Sequence, residues 1–274
     1  MRIGVVLAVA LLLIVLSRSS REPERVARVY EWKIYLTAIV VQPIAKRGVA
    51  MTSDDCADAT ALGASWLYNW NPDPPACEGV ESIAMSWRGN PVPLGGNAPW
   101  LLGANEPDLP EQGNLTPLEA AHQWTWFEET KASLVSPSPT NIQWLVDWRN
   151  EFIALNGRPP KVHALAAHCY DFKAIDCQAK IFQFAQLAAE WNVNALWVTE
   201  FNLWPCYQSM AEWESELRTL VEWMEIQPII KRYAVFASRI PAGVPWSFRP
   251  EECNAPMFDG EGGMTSFGKA YFGR

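Results

Sequence analysis

The chain has 274 residues, with Lys+Arg 22 against Asp+Glu 30, a formal net charge of −8 and 49% hydrophobic residues. A net-negative chain is a poor ligand for polyanions, so nucleic acid is excluded as a partner, and the hydrophobic share excludes wholesale disorder. The length suits one α/β barrel, which commonly takes about 250 residues, and the 15 Trp point to an aromatic-lined groove, since a buried indole N–H needs a partner.

Residues 1–20 are the first predicted element. Ile3–Leu16 is an unbroken apolar run after a single Arg. As a helix it reaches about 21 Å, short of a hydrocarbon core of about 30 Å. It reads as the apolar region of a signal peptide. The cleavage signal around Ser17–Ser19 is poor, so a signal anchor, a membrane tether through residues 3–16, is the alternative. Residues 21–45 form a lead-in segment whose apolar stretch is broken by Thr37, Gln42 and Pro43. From residue 46 to 274 we read a single catalytic domain.

There, short apolar runs alternate with helical patterns. Eight strands are predicted, at Lys46–Ala50, Ala64–Trp70, Ile83–Trp87, Trp100–Ala104, Ser133–Ser136, Val162–His168, Ala195–Phe201 and Arg232–Ser238. Eight strand–helix units imply a parallel sheet closed as a TIM-type (β/α)8 barrel, with some crossovers short or irregular because residues 50–99 are helix-poor. Helix starts are signalled by Thr116-Pro117-Leu118-Glu119 and Ser209-Met210-Ala211-Glu212, both capping boxes, and by Asp176 as a cap; Gly157 stops the helix over 141–155.

Two predicted strands deliver a Glu at their C-terminal ends: LLGANEPD places Glu106 and WVTEF places Glu200. That is the face on which barrel enzymes build their sites. Burying a carboxylate there is expensive unless it is paired or functional. Paired carboxylates across a barrel mouth are what glycoside hydrolysis needs, one to protonate the leaving oxygen and one to attack the anomeric carbon. Asn105, beside Glu106, has the reach and chemistry to bond a sugar hydroxyl. Other strand ends supply candidate sugar-binding groups: Tyr68, Asn69, Trp70, Trp87, His168, Tyr170, Trp204 and Phe236. His168 closes an apolar strand, a position from which it would orient a carboxylate.

These residues resemble glycoside hydrolase family 128. The resemblance is carried by Lys46–Ala50, Ser65–Trp70, Leu101–Leu109, His168–Tyr170, Trp197–Phe201 and Phe258–Thr265. It implies a small (β/α)8 barrel that cleaves β-1,3-glucan with retention, endo-glucanase-like, with Glu106 as general acid/base and Glu200 as nucleophile. A retaining mechanism leads us to expect the two carboxyls about 5–5.5 Å apart, Glu200 ionised and Glu106 protonated. Two rivals stand beside it: a non-catalytic β-glucan-binding protein on the same fold, and a barrel glycosidase acting on β-1,4-glucan or mannan. No metal or cofactor is required by the scheme, and GxSxG, HExxH and P-loop motifs are missing from the sequence. We expect a monomer.

Six cysteines fit an exported protein. None forms a CxxC pair. Positions relative to the strands suggest Cys56–Cys77 across the second strand, Cys169–Cys177 after the sixth, and Cys206–Cys253 between the loops after the seventh and eighth. Asn114-Leu115-Thr116 is a glycosylation sequon, meaningful only in a eukaryotic secretory route.

Overall fold

A computed structural model describes residues 46–94, 99–240 and 253–272. They fall within one compact unit, Pro43–Arg274. The predicted signal segment and lead-in lie outside the described residues.

Among the described residues nine short strands form, all paired in parallel: β1 (Arg47–Ala50), β2 (Trp66–Tyr68), β3 (Glu81–Ser82), β4 (Ala84–Met85), β5 (Trp100–Leu102), β6 (Ser133–Val135), β7 (Leu165–Asp171), β8 (Leu196–Leu203) and β9 (Ile230–Phe236). They make two ladders, β3-β2-β1-β9-β8-β7 and β4-β5-β6. The ladders meet at two seams. Only Ile83 separates β3 from β4, so these are halves of one strand that turns from one neighbour to the other. At the other seam, Val135 bridges Ala164 just before β7, with His163 N and Ala164 N both donating to Leu134 O. Each of the eight predicted strands is present. The third begins two residues earlier than expected and is broken. The sixth and seventh run on to Asp171 and Leu203, so Tyr170 lies inside its strand rather than beyond it, and His168 and Glu200 stand short of the strand ends they were expected to mark.

Helices pack outside. α2 (Pro117–Glu129) and α5 (Met210–Ile226) begin with the expected capping boxes on Thr116 and Ser209; α3 (Ile142–Asn156) ends on Gly157 in the left-handed conformation. α4 (Ala174–Glu190) differs from expectation. Lys173, not Asp176, is the N-cap and makes no side-chain cap bond, while Asp176 sits in the first turn, where its charge favours the helix N-terminus. α1 (Cys56–Ala61) and α6 (Ser266–Phe272) are short.

Side-chain alternation splits the apolar residues into two clusters. The larger fills the space between strands and helices; the smaller, including Ala50, Trp66, Ile83, Met85, Leu102, Val135, Ala166, Trp197 and Ala234, fills the barrel. The floor is sealed near the strand starts. Arg232 pairs with Glu81 at 2.6 Å and its guanidinium lies 4.4 Å from the Trp197 ring, with Trp66 and Trp100 also around it. A buried charge is tolerated there because a carboxylate and three ring faces replace water. All three expected disulfides are formed, Cys56–Cys77, Cys169–Cys177 and Cys206–Cys253, which fits an oxidising, extracellular compartment. Among the described residues no helix is long and apolar enough to cross a membrane.

Candidate active site

Glu200 is aimed by a defect in the sheet. Trp197 points into the barrel and Val198 away from it, so strict alternation would turn Glu200 outward and Phe201 inward. The register instead slips: Ala167 pairs with Val198 but His168 pairs with Glu200. Thr199 is therefore the extra residue of a β-bulge, and the bulge reverses the faces, placing Phe201 in the outer core. The carbonyl of Thr199 is turned inward, where it accepts from the Tyr68 hydroxyl at 2.9 Å.

Glu106 follows β5 in a tight turn with φ of 36°, in the left-handed region that bulky residues avoid. Its N–H donates to Ser138 O and its carbonyl accepts from Leu109 N, so backbone contacts on both sides hold the turn. Gly113 passes so close behind it that a Cβ there would lie 2.6 Å from Asn105 O. Asp108, unremarked in the sequence, ties the turn to the next loop by accepting from Thr140 N, Thr140 Oγ1 and Asn141 N.

His168 stands between the two carboxylates. Its Nδ1 is 2.9 Å from Glu106 Oε1 and 3.6 Å from Glu200 Oε2. One ligand atom from each of the three residues lies within 4.8 Å of the others, and all three side chains are buried. Among the described residues this is the one cluster of His, Cys, Asp and Glu compact enough to surround a cation. The 2.9 Å Nδ1···Oε1 contact has the length of an ordinary hydrogen bond, with the tautomer setting which atom donates.

Three donors converge on Glu200. Tyr68 Oη (3.0 Å) and Trp70 Nε1 (2.9 Å) donate to Oε1, and Tyr170 Oη donates to Oε2. Trp70 reaches its position with φ of 61°, a second left-handed residue in the site. Strain of this kind persists where surrounding contacts over-determine a conformation. Burial and the Glu200 charge push both tyrosine hydroxyls well above their ordinary value, so they remain donors. Burial also pushes the Glu200 carboxyl above the usual carboxylate range, against the opposing pull of His168, Tyr170 and Trp70. The donors expected to hold Glu200 ionised are in place, and burial works against them. His168 is lowered by burial but raised further by Glu200 and Glu106, with a net upward shift.

The aromatic groups expected to bind sugar form a connected wall. Ring contacts lead from Tyr68 to Trp70 (5.3 Å), Trp70 to Phe236 (5.8 Å), Phe236 to Tyr170 (5.7 Å) and Tyr170 to Trp204 (5.4 Å, stacked). The other candidates are engaged with other partners. Asn69 donates to Asp54 and accepts from Asn71 N. Trp87 accepts from Asn105 N and lies beneath the Arg88 guanidinium. Asn105 donates to Gln112, leaving its Oδ1 buried without a partner.

A parallel α/β sheet that delivers two carboxylates and an aromatic wall to the C-terminal ends of its strands defines a barrel glycosidase. Residues 46–271 match the family described as glycosyl hydrolase catalytic core, and the chain belongs to it. No curated protein matches the chain significantly. Solved structures do, among them several of glycoside hydrolase family 128, in agreement with the resemblance carried by LLGANEPDL and WVTEF. A subgroup II endo-β-1,3-glucanase from Pseudomonas viridiflava is 26% identical, with a TM-score of 0.67 over 83% of this chain and 96% of its own. A subgroup III curdlan-specific exo-β-1,3-glucanase from Blastomyces gilchristii, solved with glucose, is 25% identical, with a TM-score of 0.65 over 82% and 97%. A subgroup I endo-β-1,3-glucanase from Amycolatopsis mediterranei, solved with laminarihexaose, shares the fold at 21% identity and a TM-score of 0.65 over 83% and 98%.

Proposed function

We propose that residues 46–274 form the catalytic domain of an exported retaining glycosidase that cleaves β-1,3-glucan. The observation that carries this is the convergence of Glu106, His168 and Glu200 to within 4.8 Å. So close an approach favours direct attack over the wider spacing of about 6.5–9.5 Å that an intervening water requires. The β-1,3-glucanase character of the solved neighbours supports the linkage.

In the first step a carboxylate oxygen of Glu200 attacks the anomeric carbon while Glu106 gives its proton to the departing glycosidic oxygen. The bond to the leaving sugar breaks as the glycosyl–enzyme ester forms. In the second step Glu106, now ionised, takes a proton from water; the water oxygen bonds to the anomeric carbon and Glu200 leaves as carboxylate. Tyr68, Trp70 and Tyr170 fix Glu200 in line, and His168 holds Glu106. The wall formed by Trp70, Phe236, Tyr170 and Trp204 offers ring faces to the sugar. Cleavage takes place within a single chain, and residues 1–20 direct export or tether the domain to a membrane.

The test is to incubate the protein with laminarin, carboxymethyl cellulose and mannan and to size the products. Release of oligosaccharides from laminarin, with little from the other two, is expected. Comparable rates on cellulose or mannan derivatives would overturn the linkage, and binding to laminarin without cleavage would favour the non-catalytic rival.

A further inference from the structure

We propose that Phe172 and Tyr207 form an outlying ledge that binds a glucosyl unit of a long chain beyond the reacting bond. The proposal rests on the β-1,3-glucanase reading above. Tyr207 is 83% exposed, more than any other large apolar side chain among the described residues. It adopts φ of 66°, a left-handed conformation that strains a residue with a Cβ. An exposed aromatic held in a strained backbone gains the fold little by its own packing, and such sites cluster where a ligand is held. Its ring lies 6.0 Å from that of half-buried Phe172, tilted at 42°.

The ledge is continuous with the site. Phe172 follows β7 and Tyr207 follows β8, the two strands that deliver His168 and Glu200. Gln208 Nε2 donates to the carbonyls of both Trp204 and Phe172, and Trp204 N donates to Asp171 O, so the two loops are stitched together beside the Tyr170–Trp204 stack. Both loops are also closed covalently. Phe172 lies inside the Cys169–Cys177 loop, and Tyr207 directly follows Cys206, which is bonded to Cys253. Platforms fixed in this way lose little entropy when a sugar face stacks on them. The chemistry suits a neutral polysaccharide: flat apolar rings for the C–H faces, with a phenol at the edge for a hydroxyl.

The test compares laminarin with the shortest laminari-oligosaccharide cleaved, using wild type, Tyr207→Ala, Phe172→Ala and Tyr207→Phe, with thermal melting of each. The expected result is that kcat/KM for laminarin falls about three- to tenfold relative to that for the short substrate in both Ala variants, through KM. Tyr207→Phe should recover most of the loss. An equal fall on long and short substrates, or none on laminarin, in two folded Ala variants would overturn the ledge while leaving the substrate reading intact. Wild-type inactivity toward laminarin would overturn the substrate reading and the ledge with it.

Discussion

Glu200 sits where two opposing demands meet. Catalysis needs a charged oxygen, and the barrel interior resists one. Three donors and His168 answer the charge, yet burial still pushes the carboxyl up. An acid that holds its proton more tightly in the folded chain than in the unfolded one costs stability once it ionises. That cost is missing below the unfolded carboxylate range, appears as pH rises, and is complete above the folded pKa. Glu200→Gln should therefore melt at a higher temperature than wild type near neutral pH, and the difference should shrink toward acid pH. Its amide oxygen can keep the bonds from Tyr68 and Trp70 while its NH2 donates to Tyr170. Turnover should fall on the order of 10⁴-fold or more. In wild type, the acid limb of kcat/KM should lie above the usual carboxylate range. Melting curves and rates across pH check all three expectations; a variant less stable than wild type at neutral pH would show that the charge itself holds the site together.

At the scale of elements, the site depends on two irregular backbones, the bulge at Thr199 and the turn at Glu106. The turn is packed from behind by Gly113, where a Cβ would meet Asn105 O at 2.6 Å and Pro107 Cα at 3.0 Å. Gly113→Ala should then displace Glu106 and lower kcat by about 10-fold or more, with a stability loss of about 1–3 kcal/mol. Unchanged kcat in a folded Ala variant would show that the turn is not fixed from this side. Much of this layer was legible in the sequence. Glu106 and Glu200 each close an apolar run, and a carboxylate in that place has few structural reasons to be there. Thr116 and Ser209 announce their helices through local bonds that need no tertiary partner. The bulge was hidden, because an inserted residue shows only against the partner strand's register, here Ala167–His168. The break at Ile83 was hidden for the same reason. Lys173 displaced Asp176 as the cap because the Cys169–Cys177 bond and Glu216, which accepts from Ala174 N, fix where α4 begins.

The whole molecule separates stability from function along the barrel axis. Arg232, Glu81 and three Trp seal the floor; carboxylates, strained residues and aromatic faces occupy the mouth. Disulfides reinforce loops at the mouth. Chain-entropy arguments make the longest closed loop the most valuable. Removing Cys206–Cys253, which spans 47 residues, should cost about 4 kcal/mol. Removing Cys169–Cys177, spanning 8, should cost about 2.5 kcal/mol. Denaturant titration of the paired Ser variants checks that order, and a larger loss from the short loop would point to native-state packing instead. The pairings could be read from the sequence because Cys56 and Cys77 flank one predicted strand, Cys206 and Cys253 follow two neighbouring ones, and Cys169 and Cys177 are close along the chain. The Phe172–Tyr207 ledge could not, since its signal is exposure and a left-handed φ. The most direct test of the central claim is the anomeric configuration of the first product released from laminarin, followed by proton NMR before mutarotation. Attack by Glu200 and return of water to the same face predict the β-anomer first, with the α-anomer growing in later. An α-anomer at the earliest times would contradict the double displacement and the role given to Glu200.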